Sequence, residues 1–188
     1  MKKIVSVIGD AKIDQNNLKY QIAFDLGKRL IDEGFRIQTG GLGGVMEAVF
    51  KGAKASLNYH EGDTIAILPS FDVNDANEYA DIVFPTGLDI FRNVLIANSS
   101  AVIAIGGGAG TLSEIALAWQ LFKLIIAFDN VDGWSTKLAN TKIDDRQRYE
   151  NIEDDKIYKA SSINECLFIL KNKLAQYSKS HTSIKRRN

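Results

Sequence analysis

Cysteine is almost absent from this chain: Cys166 is the only one. A single thiol forbids an internal disulfide and a cysteine-built metal site, and it suits a reducing cytoplasm. Histidine is nearly as scarce, with His60 and His181 far apart in sequence. Neither a zinc site nor a histidine-based triad can be assembled from them, so no metal is expected. Net charge is missing too, 23 Lys and Arg standing against 23 Asp and Glu. A balanced chain has no electrostatic footprint for nucleic acid. The one basic cluster is the tail 179–188, with Lys179, Lys185, Arg186 and Arg187, which reads as a disordered, solubilising terminus. No apolar run approaches the roughly 18–20 residues of a membrane span. Lys2 and Lys3 followed by Ile4 to Ile8 have the order of a signal peptide, but a signal core needs about 7–15 apolar residues. They read instead as a first strand. These absences leave a cytoplasmic protein with neither a membrane nor a nucleic-acid partner.

What is present is an ordinary globular composition, 45% hydrophobic and 24% charged over 188 residues. A chain of this size buries roughly 70% of its unfolded surface without cross-links, and we expect one domain over 1–178. Short apolar runs alternate with segments of helical period. Strands are expected at Lys3–Ile8, Phe35–Thr39, Thr64–Leu68, Asp81–Phe84, Ala101–Ile105 and Leu124–Phe128. Helices are expected at Asn16–Glu33 (stripe Leu18, Ile22, Leu26, Leu30), Val45–Ala55, Ile90–Asn98 and Thr111–Lys123. A last helix starts at Ser162, with Glu165 completing a capping box and Cys166 inside the apolar stripe as an inert core residue. The segment Asp129–Lys156, rich in acidic residues, reads as a surface excursion. Strands apolar on both faces belong in a parallel sheet covered on each side. The fold class is therefore α/β, a single doubly wound, Rossmann-like, mostly parallel sheet.

Two glycine clusters each follow a strand and open a helix: Gly40-Gly41-Leu42-Gly43-Gly44 and Gly106-Gly107-Gly108-Ala109-Gly110. Helix starts offer unpaired N–H donors and partial positive charge, and glycine lets a phosphate approach the backbone. Neither cluster has the spacing of a dinucleotide fingerprint or the lysine of a P-loop. Their shared location, the carboxyl edge of one sheet, is where open α/β sheets bind ligands. Gly9 and Asp10 end the first strand at the same edge, and Thr86 follows the fourth. The Asp10 carboxylate is placed to hydrogen-bond a ribose or a pterin, or to cap the next turn.

The stretch Gly106-Gly107-Gly108-Ala109-Gly110-Thr111-Leu112-Ser113-Glu114 resembles the P-G-G-x-G-T-x-x-E signature of the LOG family, within the SLOG superfamily once labelled lysine decarboxylases. Gly40 to Met46 resembles that family's earlier G-G-G-x-x-G-L-M motif, and Trp119-Gln120-Leu121 its W-x-Q-L. The likeness covers about residues 3–128. It is greatest for the molybdenum-cofactor-carrier-like branch, in which G-G-G-x-G-T-L-S-E and an R-N pair, here Arg92-Asn93, replace the enzyme motifs. In the enzymes the pair is R-K and the second motif begins with proline; this chain has Asn93 and Gly106 there.

The resemblance implies a phosphate-bearing ligand, a nucleotide or the molybdenum cofactor, held by Gly40, Gly41, Gly43, Gly44, Gly107, Gly108, Gly110 and Thr111, with Arg92 and Asn93 beside it. It also implies dimers. Two functions follow. One is carriage of a nucleotide or pterin phosphate. The other is a nucleoside 5′-monophosphate phosphoribohydrolase, with Arg92 orienting the sugar phosphate and Glu114 facing the anomeric carbon. Thr111-x-x-Glu114 also has the form of a capping box. Helix Thr111–Lys123 is apolar around most of its circumference, which independently predicts a homodimer or higher homo-oligomer.

Overall fold

The apolar runs become the strands of one parallel sheet. The computed structural model describes residues 1–178; the basic tail expected at 179–188 lies outside them. Strands β1 (Ile4–Gly9), β2 (Arg36–Thr39), β3 (Thr64–Leu68), β4 (Ile82–Pro85), β5 (Ala101–Ile105), β6 (Leu124–Phe128) and β7 (Tyr158–Ala160) pair in the order β4-β3-β2-β1-β5-β6-β7. Every neighbouring pair is parallel.

Helices α1 (Leu18–Asp32), α2 (Val45–Lys54) and α6 (Ile163–Lys173) cover one face; α3 (Asn93–Ala97), α4 (Ala109–Gln120) and α5 (Trp134–Leu138) cover the other. The pleat divides each central strand between the layers. Ala101, Ile103 and Ile105 of β5 join the core under α1, α2 and α6, while Val102 and Ala104 join the core under α3 and α4. All of β3, β5 and β6 is buried.

The order reverses between β1 and β5. From Gly9 the chain runs to α1 on one face, and from Ile105 to α4 on the other, so a crevice opens where the two leave the sheet.

Several elements depart from the sequence expectation. Leu18 is exposed, because it is the first helical residue after the Asn17 cap, whose Oδ1 accepts the Lys19 N–H. The buried stripe of α1 instead begins at Lys19 and continues through Ile22, Ala23, Leu26 and Leu30. The expected helix Ile90–Asn98 is a 3-10 turn, Asp89–Arg92, followed by the single turn of α3. The expected capping box of α6 forms one residue longer than drawn. Ser162 Oγ accepts the Glu165 N–H, while Glu165 accepts the N–H of Ser161.

Residues 129–156 are more than a surface excursion. Arg148 is buried against α4, its guanidinium 3.7 Å above the Trp119 ring. It donates to Asp155 at 2.8 and 2.5 Å and to the carbonyls of Trp119 and Lys123. Backbone carbonyls at and just beyond the end of α4 thus receive a charged donor, and an irregular segment becomes part of the core. The strand β7 beyond it was not foreseen.

Candidate functional site

A cleft of about 230 Å³ occupies the crevice between the ends of β1 and β5. Gly9 and Asp10 come to it from β1, and Gly40 from the end of β2. Arg92 and Asn93 come from the junction of the 3-10 turn with α3, and Gly108, Gly110, Thr111 and Glu114 from the start of α4. Val7, Ile8, Ala11 and Met46 complete the wall; of these only Met46 belongs to a motif, as the last residue of the first glycine cluster's match. A larger groove of about 540 Å³, lined by Lys2, Lys3 and Lys123 among others, lies at the opposite edge of the sheet, where helices end. It lacks helix-start amides, so the smaller cleft is the candidate.

Helix α4 begins at Ala109, with Gly108 as its cap and no capping side chain. In an α-helix the first amides have no partner within the helix; of Ala109, Gly110 and Thr111, the last two line the cleft. Glu114 therefore lies a turn inside the helix and forms no capping box. It is 8% exposed. Burial pushes its carboxyl up to about 7, Arg92 opposing the rise.

Arg92 threads beneath Gly40. Its Nη1 donates to the Ile67 carbonyl at 2.7 Å, and a β-carbon on Gly40 would overlap the guanidinium. Burial lowers the Arg92 pKa, offset by Glu114 and Asp89. Asn93 is buried and donates to Ser113 Oγ at 2.8 Å, tying α3 to the first turns of α4.

The glycine clusters are largely engaged within the fold. The Gly41 N–H donates to Thr39 Oγ1, and the Gly41 and Leu42 carbonyls accept from Asn77. Gly44 caps α2, and the Val45 amide donates to the Asp10 carbonyl. The Gly106 N–H donates to Ser135 Oγ, and the Gly107 N–H to Asp10 Oδ2 at 2.8 Å. Gly41, Gly43, Gly44 and Gly107 stand behind the cleft rather than in its lining. Thr86 follows the edge strand β4, outside the lining, and its hydroxyl donates to the Leu68 carbonyl. Among the described residues no group of three or more His, Cys, Asp or Glu side chains is disposed to hold a metal ion. No helix among them is long and apolar enough to cross a membrane. Cys166 is buried, and burial pushes its thiol pKa up.

A doubly wound parallel sheet, with two glycine turns, an arginine and a glutamate at its switch point, defines a Rossmann-like α/β protein. The chain belongs to the SLOG cluster4 family, whose model matches residues 2–166. An uncharacterized protein of Archaeoglobus fulgidus is 44% identical over 115 residues, which is 61% of this chain and 72% of that one. The molybdenum cofactor binding protein of the phototrophic bacterium Rippkaea orientalis superposes with a TM-score of 0.72 at 34% identity, over 91% of this chain and 96% of that one. The Moco carrier protein of Chlamydomonas reinhardtii does so with a TM-score of 0.71 at 28% identity, over 94% and 99%.

Proposed function

We propose that this is a cytoplasmic binding protein that holds a pterin phosphate or a nucleotide in the β1–β5 cleft, in the manner of a molybdenum cofactor carrier. The observation that carries the reading is the open start of α4 facing Arg92 across the cleft. Unpaired amides, the positive end of a helix and a guanidinium converge on one small volume, which is how backbone and arginine hold phosphate. The cleft is smaller than the roughly 300–1,000 Å³ of pockets that enclose a drug-sized ligand. It accommodates the phosphate and the adjoining ring, with the remainder at the rim. The open amides of α4 and Arg92 would hold a molybdenum cofactor by its phosphate end.

Native mass spectrometry of freshly purified protein is expected to reveal a retained small molecule that Arg92→Ala releases. Bare protein that also binds neither AMP nor GMP overturns the reading.

The hydrolase remains the second reading because Glu114 is a cleft carboxyl whose pKa stands near 7, the range in which a carboxyl exchanges protons readily. AMP incubated with wild type is expected to yield little or no free adenine. Robust release, abolished in Glu114→Gln, would install the hydrolase.

We also propose a homodimer through the face that carries α3. Ile90 and Phe91 are 68% and 75% exposed, with Leu88, Val94 and Leu95 exposed beside them. Leu112, Ala116 and Leu117 of neighbouring α4 are only half-buried, and α6 packs on the other side of the sheet. Helix α3 carries no charge, and the only charge on α4, Glu114, is buried. The exposed Asp89 and the half-buried Arg92 flank this apolar patch, so two copies can meet with opposite charges at its rim.

A further inference from the structure

Behind the second glycine loop stands a buried lysine that no motif marks. Lys19, in the first turn of α1, is 6% exposed. Its ammonium lies 2.9 Å from Asp10 Oδ2 and 3.0 Å from Asp132 Oδ1. The same Asp10 oxygen accepts the Gly107 N–H at 2.8 Å. Oδ2 is thus filled from two directions and the carboxylate is fixed. Its other oxygen, Oδ1, takes no donor among the described residues, and Asp10 lines the cleft.

Gly106 makes the arrangement possible. Its φ is +67°, and a β-carbon there would collide with Asp10 Oδ2 and with Cδ and Cε of Lys19. Proline, which stands at this place in the resembled enzymes, is excluded twice: its ring holds φ near about −65°, and its β-carbon would strike the lysine stem. The glycine at 106 and the Lys19–Asp10 pair therefore belong together. The lysine's charge is already matched, shared as it is between two carboxylates. The trio carries a net negative charge, so a ligand group beside it must donate a hydrogen bond and cannot itself be anionic.

We propose that Lys19 is a positioning residue. It holds Asp10 so that Oδ1 reads a hydrogen-bond donor on the ligand, and the cleft selects phosphate-bearing molecules with such a donor beside the anion. This rests on the cleft reading above. The donor has two chemical sources: the amino group of a 2-amino-4-oxo ring edge, shared by pterins and guanine, or a ribose hydroxyl.

Calorimetry with GMP, IMP, and the 2′- and 3′-deoxy forms of GMP separates them. Wild type is expected to prefer GMP about tenfold or more over whichever analogue lacks the donor that is read, as for a hydrogen bond to a charged partner. Discrimination against IMP assigns the ring amino group; discrimination against a deoxy form assigns the sugar. Lys19→Met is expected to reduce the preference below about threefold while inorganic phosphate still binds. Gly106→Ala should do the same with the lysine present, and Asp132→Asn, at a 93% exposed side chain, should leave the preference intact. Should Lys19→Met fail to fold, Asp10→Asn, which keeps the shape and removes the charge, decides by the same ratio. A purely structural lysine would weaken all probes equally and preserve the preference; that result overturns the inference alone. So does wild type that binds phosphate and GMP without discriminating. Wild type that binds none of the probes overturns the cleft reading, and this inference with it.

Discussion

Replacing Glu114 with glutamine is expected to stabilise the protein, increasingly so as pH rises. The carboxyl is 8% exposed, and burial lifts its pKa from 4.5 to about 7 against the opposing charge of Arg92. A carboxyl with a raised pKa in the folded state binds its proton more tightly there than in the unfolded chain. Its stabilising contribution is complete below pH 4.5 and is lost as pH rises through about 7. At about 1.4 kcal/mol per tenfold, the folded protein at pH 8 is about 3 kcal/mol less stable than one with a neutral side chain at this place. At pH 5 the difference is about 1 kcal/mol. Urea unfolding of wild type and Glu114→Gln at pH 5, 6.5 and 8 measures it. Taking the difference between the two proteins cancels every other titrating group. Glutamine destabilising the fold at pH 8, or a difference that does not change with pH, would refute the reasoning. In a capping box, whose role glutamine can also fill, the difference would stay within about 1 kcal/mol at every pH, so its size at pH 8 distinguishes the two.

Gly40→Ala is expected to displace the Arg92 guanidinium and to weaken inorganic phosphate binding about as much as Arg92→Ala, tenfold or so; calorimetry alongside an unchanged circular dichroism spectrum checks it. Asp155→Ala removes one side of the buried Arg148–Asp155 ion pair and should cost about 3–5 kcal/mol in urea unfolding. Phe91→Asp places like charges across the proposed two-fold axis and should leave a monomer by light scattering at micromolar concentration. A monomeric wild type under those conditions would refute the homodimer.

The central strands are legible in the sequence because burial on both faces leaves little but apolar residues. The bounds of β3, β5 and β6 can be read directly from their runs. Strand β7 is Tyr158-Lys159-Ala160, three residues with a lysine in the middle. It is a strand because β6 offers it an open edge, and that is a tertiary fact. Arg148 fails for a related reason: within an acidic, irregular stretch it looks solvated, and only the folded chain brings it to the end of α4 and to Trp119. At the cleft, glycines and an arginine announce a binding edge through motif and location. The sequence does not tell which amides are taken, because the acceptors of the Gly106 and Gly107 amides, Ser135 and Asp10, come from distant elements. Glu114 shows how local pattern misleads. The spacing from Thr111 imitates a cap, yet the helix starts at Ala109 and carries the carboxyl inward.

The hydrogen bond from the Gly107 amide to Asp10 joins residues 97 positions apart, across the junction where β1 meets β5. Neither half of the chain owns the cleft. An emerging polypeptide has nothing to bind with until β5 and the start of α4 have left the ribosome and docked beside β1. Partially opened forms in which that junction parts lose the ligand altogether. Whatever occupies the cleft therefore acts on the global unfolding equilibrium rather than on one mobile segment, by RT ln(1 + [L]/Kd). Its affinity should appear in full as a rise in melting temperature, and the slowest-exchanging amides of the sheet, far from the ligand, should slow along with those beside it.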